Sequence, residues 1–214
     1  WVCGIAYEND VKVDEEYFKL AGESYRKVRN TFKFMLSNLN DFEADDSISF
    51  DETSLEAWVL GEYDTMCTKV IESYNTYAFH EAHKQIYNFC NTTLSGEYLS
   101  AVKDRLYCDA ADSERRKQSQ QALFIMTDGL AKLLAPVMCH TADETYRILH
   151  GIDPKDATLS VHLTEFPAAT GTKTSSDWST VMKMLNASLS NLALSKGSTI
   201  RSMQDSKLLT LTGS

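Results

Sequence analysis

The chain has 214 residues, of which 43% are hydrophobic and 24% charged, enough for one good-sized core or for one domain with an appendage. The formal net charge of −9 excludes a molecule that is basic over its whole surface, so a polyanionic partner would have to meet a local patch of cations. No apolar run approaches the roughly 18 residues that cross a bilayer, and no signal peptide is recognisable, so we expect a cytoplasmic protein without membrane contact.

The first half of the chain predicts two long helices joined by an acidic loop. Asp14 follows short apolar pieces at 1–13 and predicts the N-cap of the first helix. Residues 41–56 include seven acidic residues and predict an exposed loop, and a second helix is expected over 54–94 with a break near Gly61 or Tyr77. Apolar side chains recur at steps of three and four residues along the first helix, as a buried stripe requires. The stripe consists of Phe18, Ala21, Tyr25, Val28, Phe32, Met35 or Leu36, and Leu39.

The second half predicts further helices and then changes in composition and pattern. A third helix is expected over 96–107, and a fourth from Asp112 as N-cap to Pro136. Thr141-Ala142-Asp143-Glu144 is typical of a capping box that opens a fifth helix, which Gly151 would close.

From residue 155 the serine, threonine and glycine content rises, and residues 159–163 alternate like a strand before a helix over 177–195. These elements predict an all-α fold, an antiparallel helical bundle over 15–154, with a small mixed α/β C-terminal extension over 155–214.

The cysteines and histidines predict neither a disulfide framework nor a metal site. The five cysteines include no C-x-x-C pair, and their odd number argues for reduced thiols. His80-Glu81-Ala82-His83 is one residue short of the spacing that places two imidazoles on one helical face. Cys139-His140 is the other hint of a metal site, and we interpret both as ordinary helix residues.

Four cations of the first helix form what we call the basic face: Lys19, Arg26, Arg29 and Lys33. They fall within roughly 80° of one another beside the apolar stripe, and no acidic residue lies among them. One interpretation is a solvated flank of a core helix. The other is a row of phosphate contacts that positions a nucleic-acid backbone without reading its bases.

A second set of cations lies on the third and fourth helices. Arg115-Arg116-Lys117 follows directly after the predicted N-cap of the fourth helix, where the helix dipole favours acids instead. Lys103 and Arg105 add two cations on the third helix.

Three separated segments carry spaced motifs: AGESYRKVRNTFKFMLSNLNDF (21–42), YNTYAFHEAHKQIYNFCNTTLSGEYLSAVKDRLYCDAADSERRKQSQQALF (74–124) and LLAPVMCHTADETY (133–146). They resemble isoleucyl-tRNA synthetase, in the helical anticodon-binding domain that follows the catalytic core of this class I family. SVHLTEFP (160–167) is similar to the short segment after the bundle, and Trp1-Val2 to the phrase at the catalytic junction. The likeness covers about 1–167; Tyr146 stands where the family usually has Trp.

The resemblance implies that residues 1–14 are a junction from a catalytic domain outside this sequence, as in a piece of a longer chain. It implies an isoleucine–tRNA ligase as the parent protein, which joins isoleucine to tRNA(Ile) with ATP and Mg and can hold Zn in regions not present here. The H-I-G-H and K-M-S-K-S motifs of the catalytic core and the C-terminal zinc-binding cysteines are absent from these residues. We therefore expect no catalytic residue, no cofactor and no metal in this chain.

Recognition of an anticodon stem and loop is the function that remains, with the chain as a monomer and no DNA partner. Arg29 and Asn30 lie at family motif positions, and Tyr25 is expected in the core. The candidate tRNA contacts are Arg26, Arg29, Asn30, Lys33, Lys103, Arg105, Arg115 and Arg116. Two alternatives stay open: the anticodon-binding domain of a valyl- or leucyl-type synthetase, and a non-catalytic helical interaction module whose acidic loop binds a basic protein.

Overall fold

The computed structural model describes residues 1–11 and 13–196, with side chains up to residue 190. These residues form helices and irregular segments and contain no strand, so the predicted all-α fold is confirmed for the part of the chain described. The helices are α1 (Glu15–Ser37), α2 (Leu55–Asn75), α3 (Phe79–Asn88), α4 (Leu99–Cys108), α5 (Glu114–Leu134), α6 (Cys139–His150) and α7 (Trp178–Lys196). A π-helical segment, Phe89–Tyr98, joins α3 to α4, and short 3-10 turns lie at Val2–Gly4 and Val161–Leu163.

Helix α1 begins as predicted but is buried only in its second half. The Asp14 carboxylate accepts hydrogen bonds from the backbone N–H groups of Glu16 and Tyr17, which confirms the N-cap. Val28 and Phe32 are buried, whereas Phe18 and Tyr25 of the predicted stripe are exposed. The first turns of α1 pack against the N-terminal segment instead of the core, and the Trp1 and Phe18 rings lie 5.0 Å apart. The prediction that Tyr25 belongs to the core is therefore wrong.

The predicted second helix is divided at Tyr77. Gly61 lies within α2, and the chain turns at Thr76–Ala78, where Tyr77 has a left-handed φ of 59°. Helix α3 then continues through the π-helical segment into α4, so the third helix is an extension of this one. The residues around 41–54 form turns between α1 and α2, as expected for the acidic loop.

Two predicted helix starts are wrong by one or two residues. Helix α5 begins at Glu114 with Ser113 as N-cap, not Asp112. Helix α6 begins at Cys139, so Thr141 lies inside it and no capping box forms. Asp143 binds downstream groups instead, since its carboxylate accepts hydrogen bonds from Ser160 Oγ (2.6 Å) and the Val161 N–H (3.0 Å). Gly151 ends α6 with a φ of 63°, as predicted.

The strand expected at 159–163 is a 3-10 turn. The Asp143 carboxylate binds the Val161 N–H and the Ser160 hydroxyl binds the His162 N–H, so local side chains satisfy backbone groups that a strand would pair with a neighbour. Residues 168–177, which we call the strap, cross α2 before α7 begins. Helix α7 agrees with the predicted helix over 177–195. Residues 197–214 of the predicted extension lie outside the described residues.

The core lies between α2 and α5, with α1, α4 and the π-helical segment packed around them. Its largest fully buried side chains include Tyr63, Tyr98, Met35 and Leu123. Gly129 of α5 allows the closest approach, because a Cβ there would lie 1.6 Å from the Tyr63 hydroxyl oxygen. Within the described residues, no helix is long and apolar enough to cross a membrane.

Candidate nucleic-acid interface

The basic face of α1 is exposed, and three of its four cations have no counter-ion among the described residues. Arg26, Arg29 and Lys33 form no salt bridge or hydrogen bond there, whereas Lys19 pairs with Glu15 at 3.0 Å. Asn30 is exposed beside them. The side chains of Arg26, Arg29, Asn30 and Lys33 therefore carry donor groups that are free to bind an external anion.

The contacts that the other sides of α1 make with the rest of the protein fix the orientation of these four side chains. At about 100° per residue, the buried Val28 and Phe32 point away from Arg26 and Lys33. Between those two directions, Lys27 donates a hydrogen bond to Asn91, and the Thr31 and Ser95 hydroxyls lie 3.3 Å apart. Core packing on one side and the π-helical segment on the other hold the basic face towards solvent.

Arg105 and Arg116 point into the protein. Arg105 Nη1 donates to Glu56 Oε1 at 2.9 Å, and only 3% of the Glu56 side chain is exposed. Arg116 pairs with Asp41 at 2.8 Å and donates to the Leu106 carbonyl at 3.2 Å, with 11% of its side chain exposed. Both guanidinium groups hold helices and loops of this chain together.

Arg115 and Lys103 lie at the surface but already have partners. Arg115 makes two hydrogen bonds to the Asp109 carboxylate, at 3.0 and 2.9 Å. The Lys103 ammonium lies 5.8 Å from the centre of the Tyr107 ring. The structure thus gathers Arg26, Arg29, Asn30 and Lys33 on one face and divides the second set of candidates between the surface and the interior.

The acidic loop is tied to the bundle by its first residue. Asp41 accepts hydrogen bonds from Arg116 and Gln120, and the hydrogen bond from Arg116 is the main reason that its pKa lies below the usual value. Hydrogen bonds from Ser47 and Thr53 likewise lower the pKa values of Asp45 and Asp51. These carboxylates are therefore ionised and satisfied by neighbouring groups at neutral pH.

Glu56 is a buried residue whose role the sequence did not reveal, because the sequence analysis assigned Glu56 to the acidic loop as its last residue. It lies in the first turn of α2, two residues after the Ser54 N-cap and between Leu55 and Ala57. Ser119 Oγ also donates to its carboxylate, at 2.8 Å. The apolar neighbours Leu55, Ala57 and Trp58 were the available signal that this carboxylate faces the core.

The His80/His83 motif lies in a groove between the N-terminal segment, α1 and α3. This groove has a volume of about 1000 Å³ and is lined by apolar and aromatic groups such as Trp1, Tyr17 and Leu20. Burial lowers the pKa of His83, which keeps its ring neutral. No group of three His, Cys, Asp or Glu side chains within the described residues is arranged to hold a metal ion.

Comparisons with known proteins define the family. Residues 56–203 match the anticodon-binding domain of tRNA ligase, and the chain belongs to that family. The matched residues begin at α2, so the basic face of α1 lies ahead of them.

The chain is also similar to one region of several isoleucine–tRNA ligases. It is 41% identical to that of Desulfotalea psychrophila over 172 residues, which are 79% of this chain and 18% of the relative. It is 40% identical to that of Desulfitobacterium hafniense over 154 residues, 71% of this chain and 17% of the relative. It is 37% identical to that of Bacillus cereus over 171 residues, which are 79% of this chain and 18% of the relative. The resemblance to isoleucyl-tRNA synthetase is thereby confirmed, and the chain spans less than a fifth of the length of these curated relatives.

Proposed function

We propose that this chain is the tRNA-recognition domain of an isoleucine–tRNA ligase and binds the anticodon stem and loop of tRNA(Ile). The similarity to isoleucine–tRNA ligases of three bacteria supports the assignment of the parent protein as an isoleucine–tRNA ligase. The observation that carries the binding mode is the exposed basic face of α1, where Arg26, Arg29 and Lys33 have no counter-ion among the described residues. A chain with a net charge of −9 binds a polyanion only through such a local surface.

The four side chains divide the work by their chemistry. Arg26 and Arg29 offer planar guanidinium groups that bind phosphate oxygens in pairs, whereas Lys33 offers a point charge. Asn30 lies among them and donates an amide N–H to a phosphate or ribose oxygen. Successive positions on one helical face follow the sugar–phosphate backbone and fix its register, while unstacked loop bases are read elsewhere.

The second set of cations contributes in another way. Arg105 and Arg116 stabilise the bundle and do not bind RNA directly, because each is paired with a carboxylate of this chain. The Arg115–Asp109 pair is exposed on the arginine side, and an exposed ion pair stabilises a protein by about 0–1 kcal/mol, so Arg115 can exchange its partner for a phosphate at little cost. Lys103 is exposed on α4.

The parent protein then joins isoleucine to its tRNA with ATP and Mg, in catalytic regions outside this sequence, and can hold Zn there. We place it in the cytoplasm and take this chain to act as a monomer. The H-I-G-H and K-M-S-K-S motifs that would grip ATP are not among these residues, so recognition, not catalysis, is the part of the reaction assigned to this chain.

Charge reversal on α1 tests this proposal. Arg26→Glu with Lys33→Glu should weaken tRNA binding and lower the slope of log K against log salt by about 0.7–0.9 for each phosphate that is no longer neutralised. Both side chains are exposed and unpaired within the described residues, so helical content and melting temperature should stay unchanged. Binding is measured by fluorescence anisotropy over a salt series.

The matched control reverses two other exposed lysines, Lys69 on α2 and Lys155 after α6, and so makes the same change in net charge away from the basic face. Equally weakened binding in the two double variants would mean that only overall charge matters, and normal binding by Arg26→Glu/Lys33→Glu would remove α1 from the interface.

A further inference from the structure

A second cavity lies beside the strap, where the strap and α7 meet α2 and the π-helical segment. It has a volume of about 410 Å³, within the range of pockets that hold small ligands. Trp58 and Trp178 form its aromatic part, with ring centres 5.8 Å apart and planes inclined by 32°. Thr92, Thr93 and Glu97 line it from the π-helical segment, Glu62 from α2, and serine and threonine side chains from the strap.

The cavity beside the strap carries negative charge that the described residues do not balance. Glu62 and Glu97 supply two carboxylates, and no lysine or arginine in the described part of the chain lines the cavity. Asn186 donates a hydrogen bond to Glu97, and no described residue donates to the Glu62 carboxylate. A phosphate is repelled from such a site, whereas a cation is attracted to it.

The π-helical segment places two of the polar groups on one side of the cavity. Its backbone hydrogen bonds join residues five positions apart, so Thr92 and Glu97 lie one turn from each other on the same side. In an α-helix these two positions would point about 140° apart. π-Helical turns are rare and are found frequently at functional sites. The unusual helix is thus the reason that Glu97 and Thr92 line the same cavity as the indole rings.

The two carboxylates repel each other, and one of them is partly buried. Burial is the main reason that the pKa of Glu97 lies above its usual value; the hydrogen bond from Asn186 opposes this effect, and the nearby Glu62 charge adds to it. A cation between the two carboxylates would remove the repulsion and pair the buried charge. The electrostatics of the cavity therefore favour a positively charged ligand.

We propose that the cavity beside the strap binds a guanidinium group, with its plane against the Trp178 ring and its N–H groups directed to Glu62 and Glu97. A guanidinium has five N–H donors in a planar fork, which can pair with two carboxylates at once, and its flat face stacks on aromatic rings. An ammonium has three donors and no flat face, and a divalent metal ion prefers a shell of oxygen ligands to indole rings. The binding is separate from the RNA contacts proposed for α1, because it uses the opposite charge on other helices.

Short peptides that differ in one side chain test the proposal with the complete 214-residue chain. The probes are acetyl-Gly-Arg-Gly-amide and its citrulline counterpart, in which an uncharged urea of the same shape replaces the guanidinium. We expect the arginine peptide to bind with a Kd of roughly 1 mM or below at low salt and to change the tryptophan fluorescence. The citrulline peptide should bind at least about tenfold more weakly, the effect of hydrogen bonds between charged groups.

Single substitutions locate the site. Glu97→Gln should weaken binding of the arginine peptide about tenfold without lowering the melting temperature, because the Glu97 carboxylate is less favourable in the folded protein than in water. Glu72→Gln is the matched control, since it removes the same charge from an exposed position on the helix that carries Glu62, and it should leave the affinity unchanged. Arg26→Glu with Lys33→Glu should also bind the arginine peptide normally, so a failure of the proposed RNA contacts leaves this site standing.

Three results would overturn the proposal. Equal affinity for the arginine and citrulline peptides, or no saturable signal up to roughly 10 mM peptide, would remove the guanidinium site. A lysine peptide that binds as tightly as the arginine peptide would replace the guanidinium by any cation. Full affinity in Glu97→Gln would place the binding elsewhere on the chain.

Free L-arginine distinguishes the two sources of a guanidinium group. Tighter binding of the free amino acid than of the peptide supports the site and assigns it to a small guanidino compound. The reverse order supports the site and assigns it to an arginine side chain of a protein partner, because the free α-carboxylate would be repelled by Glu62 and Glu97.

Discussion

Residues of the same type have different roles in this protein, depending on whether they face solvent or the core. Arg26 and Arg105 are both arginines of amphipathic helices, yet Arg26 is exposed without a counter-ion in the described residues, and Arg105 neutralises a carboxylate in the core. Glu56 also accepts hydrogen bonds from Ser119 and Tyr98, so its charge is satisfied from three directions. Burying a carboxylate is tolerated only when it is paired and hydrogen-bonded in this way.

Removing the Arg105 guanidinium should therefore be costly. Arg105→Ala leaves the Glu56 carboxylate buried without its cation, and we expect the free energy of unfolding to fall by about 3–5 kcal/mol, measured by urea denaturation. Arg26→Ala is the control and should change stability by less than about 0.5 kcal/mol. Adding Glu56→Gln to Arg105→Ala should restore part of the stability. If Arg105→Ala costs no more than Arg26→Ala, Arg105 is not a core residue and becomes a candidate for the interface again.

At the scale of elements, two residues with left-handed backbones divide the helices. Tyr77 separates α2 from α3 with a φ of 59°, and Gly151 ends α6 with a φ of 63°. At Gly151 a Cβ would meet no atom within 4 Å, so any penalty for a side chain there comes from the backbone alone. The chain then turns back, and Arg147 holds the turn by donating to the carbonyls of Asp153 and Asp156.

Gly151→Ala should lower the free energy of unfolding by about 1–2 kcal/mol, the cost of a left-handed backbone for a residue with a Cβ. Gly22→Ala provides the matched control, because Gly22 lies within α1 and its added Cβ would lie 3.7 Å from the nearest atom outside the local backbone, an ordinary contact. There the same substitution should raise stability by roughly 0.5–1 kcal/mol through helix propensity. Thermal unfolding of both variants measures the difference. Changes of the same sign would show that the end of α6 does not depend on the left-handed residue.

At the scale of the whole molecule, the strap attaches α7 to the bundle. The Asp64 carboxylate accepts hydrogen bonds from the N–H and hydroxyl of Thr170, both at 2.8 Å, and from the Gly171 N–H at 3.2 Å. Thr174 Oγ1 donates to the Ala57 carbonyl at 2.8 Å. Gly61 permits this contact, since a Cβ there would lie 2.6 Å from Thr174 Oγ1. Residues of the strap also line the cavity of about 410 Å³ beside Trp58 and Trp178.

Gly61→Ala should displace the strap while leaving α2 helical. The added Cβ collides with Thr174, although alanine is the better helix former, so the strain falls on the contact between strap and helix. We expect faster proteolytic cleavage within 168–177, a change in the fluorescence of Trp178, and unchanged helical content by circular dichroism. Gly22→Ala, away from the strap, should show the wild-type cleavage rate. An unchanged cleavage rate in Gly61→Ala would mean that the strap shifts with its hydrogen bonds intact.

The sequence by itself determined the features that depend on residues a few positions apart. The Asp14 N-cap, the buried positions Val28 and Phe32 and the left-handed Gly151 follow from helical periodicity and from the conformational freedom of one residue. The spaced motifs that resemble isoleucyl-tRNA synthetase likewise belong to the sequence alone. Local patterns of this kind need no knowledge of the fold.

Only the tertiary structure decided which charged groups remain available for binding. Arg105 and Glu56 are 49 positions apart, and Arg116 and Asp41 are 75 apart, so no local pattern could show that they pair. The cavity beside the strap likewise brings Glu62, Glu97 and Trp178 together from three elements. The physical reason is that helix formation is governed by hydrogen bonds and side chains within about one turn, whereas pairing and burial depend on how helices pack against each other.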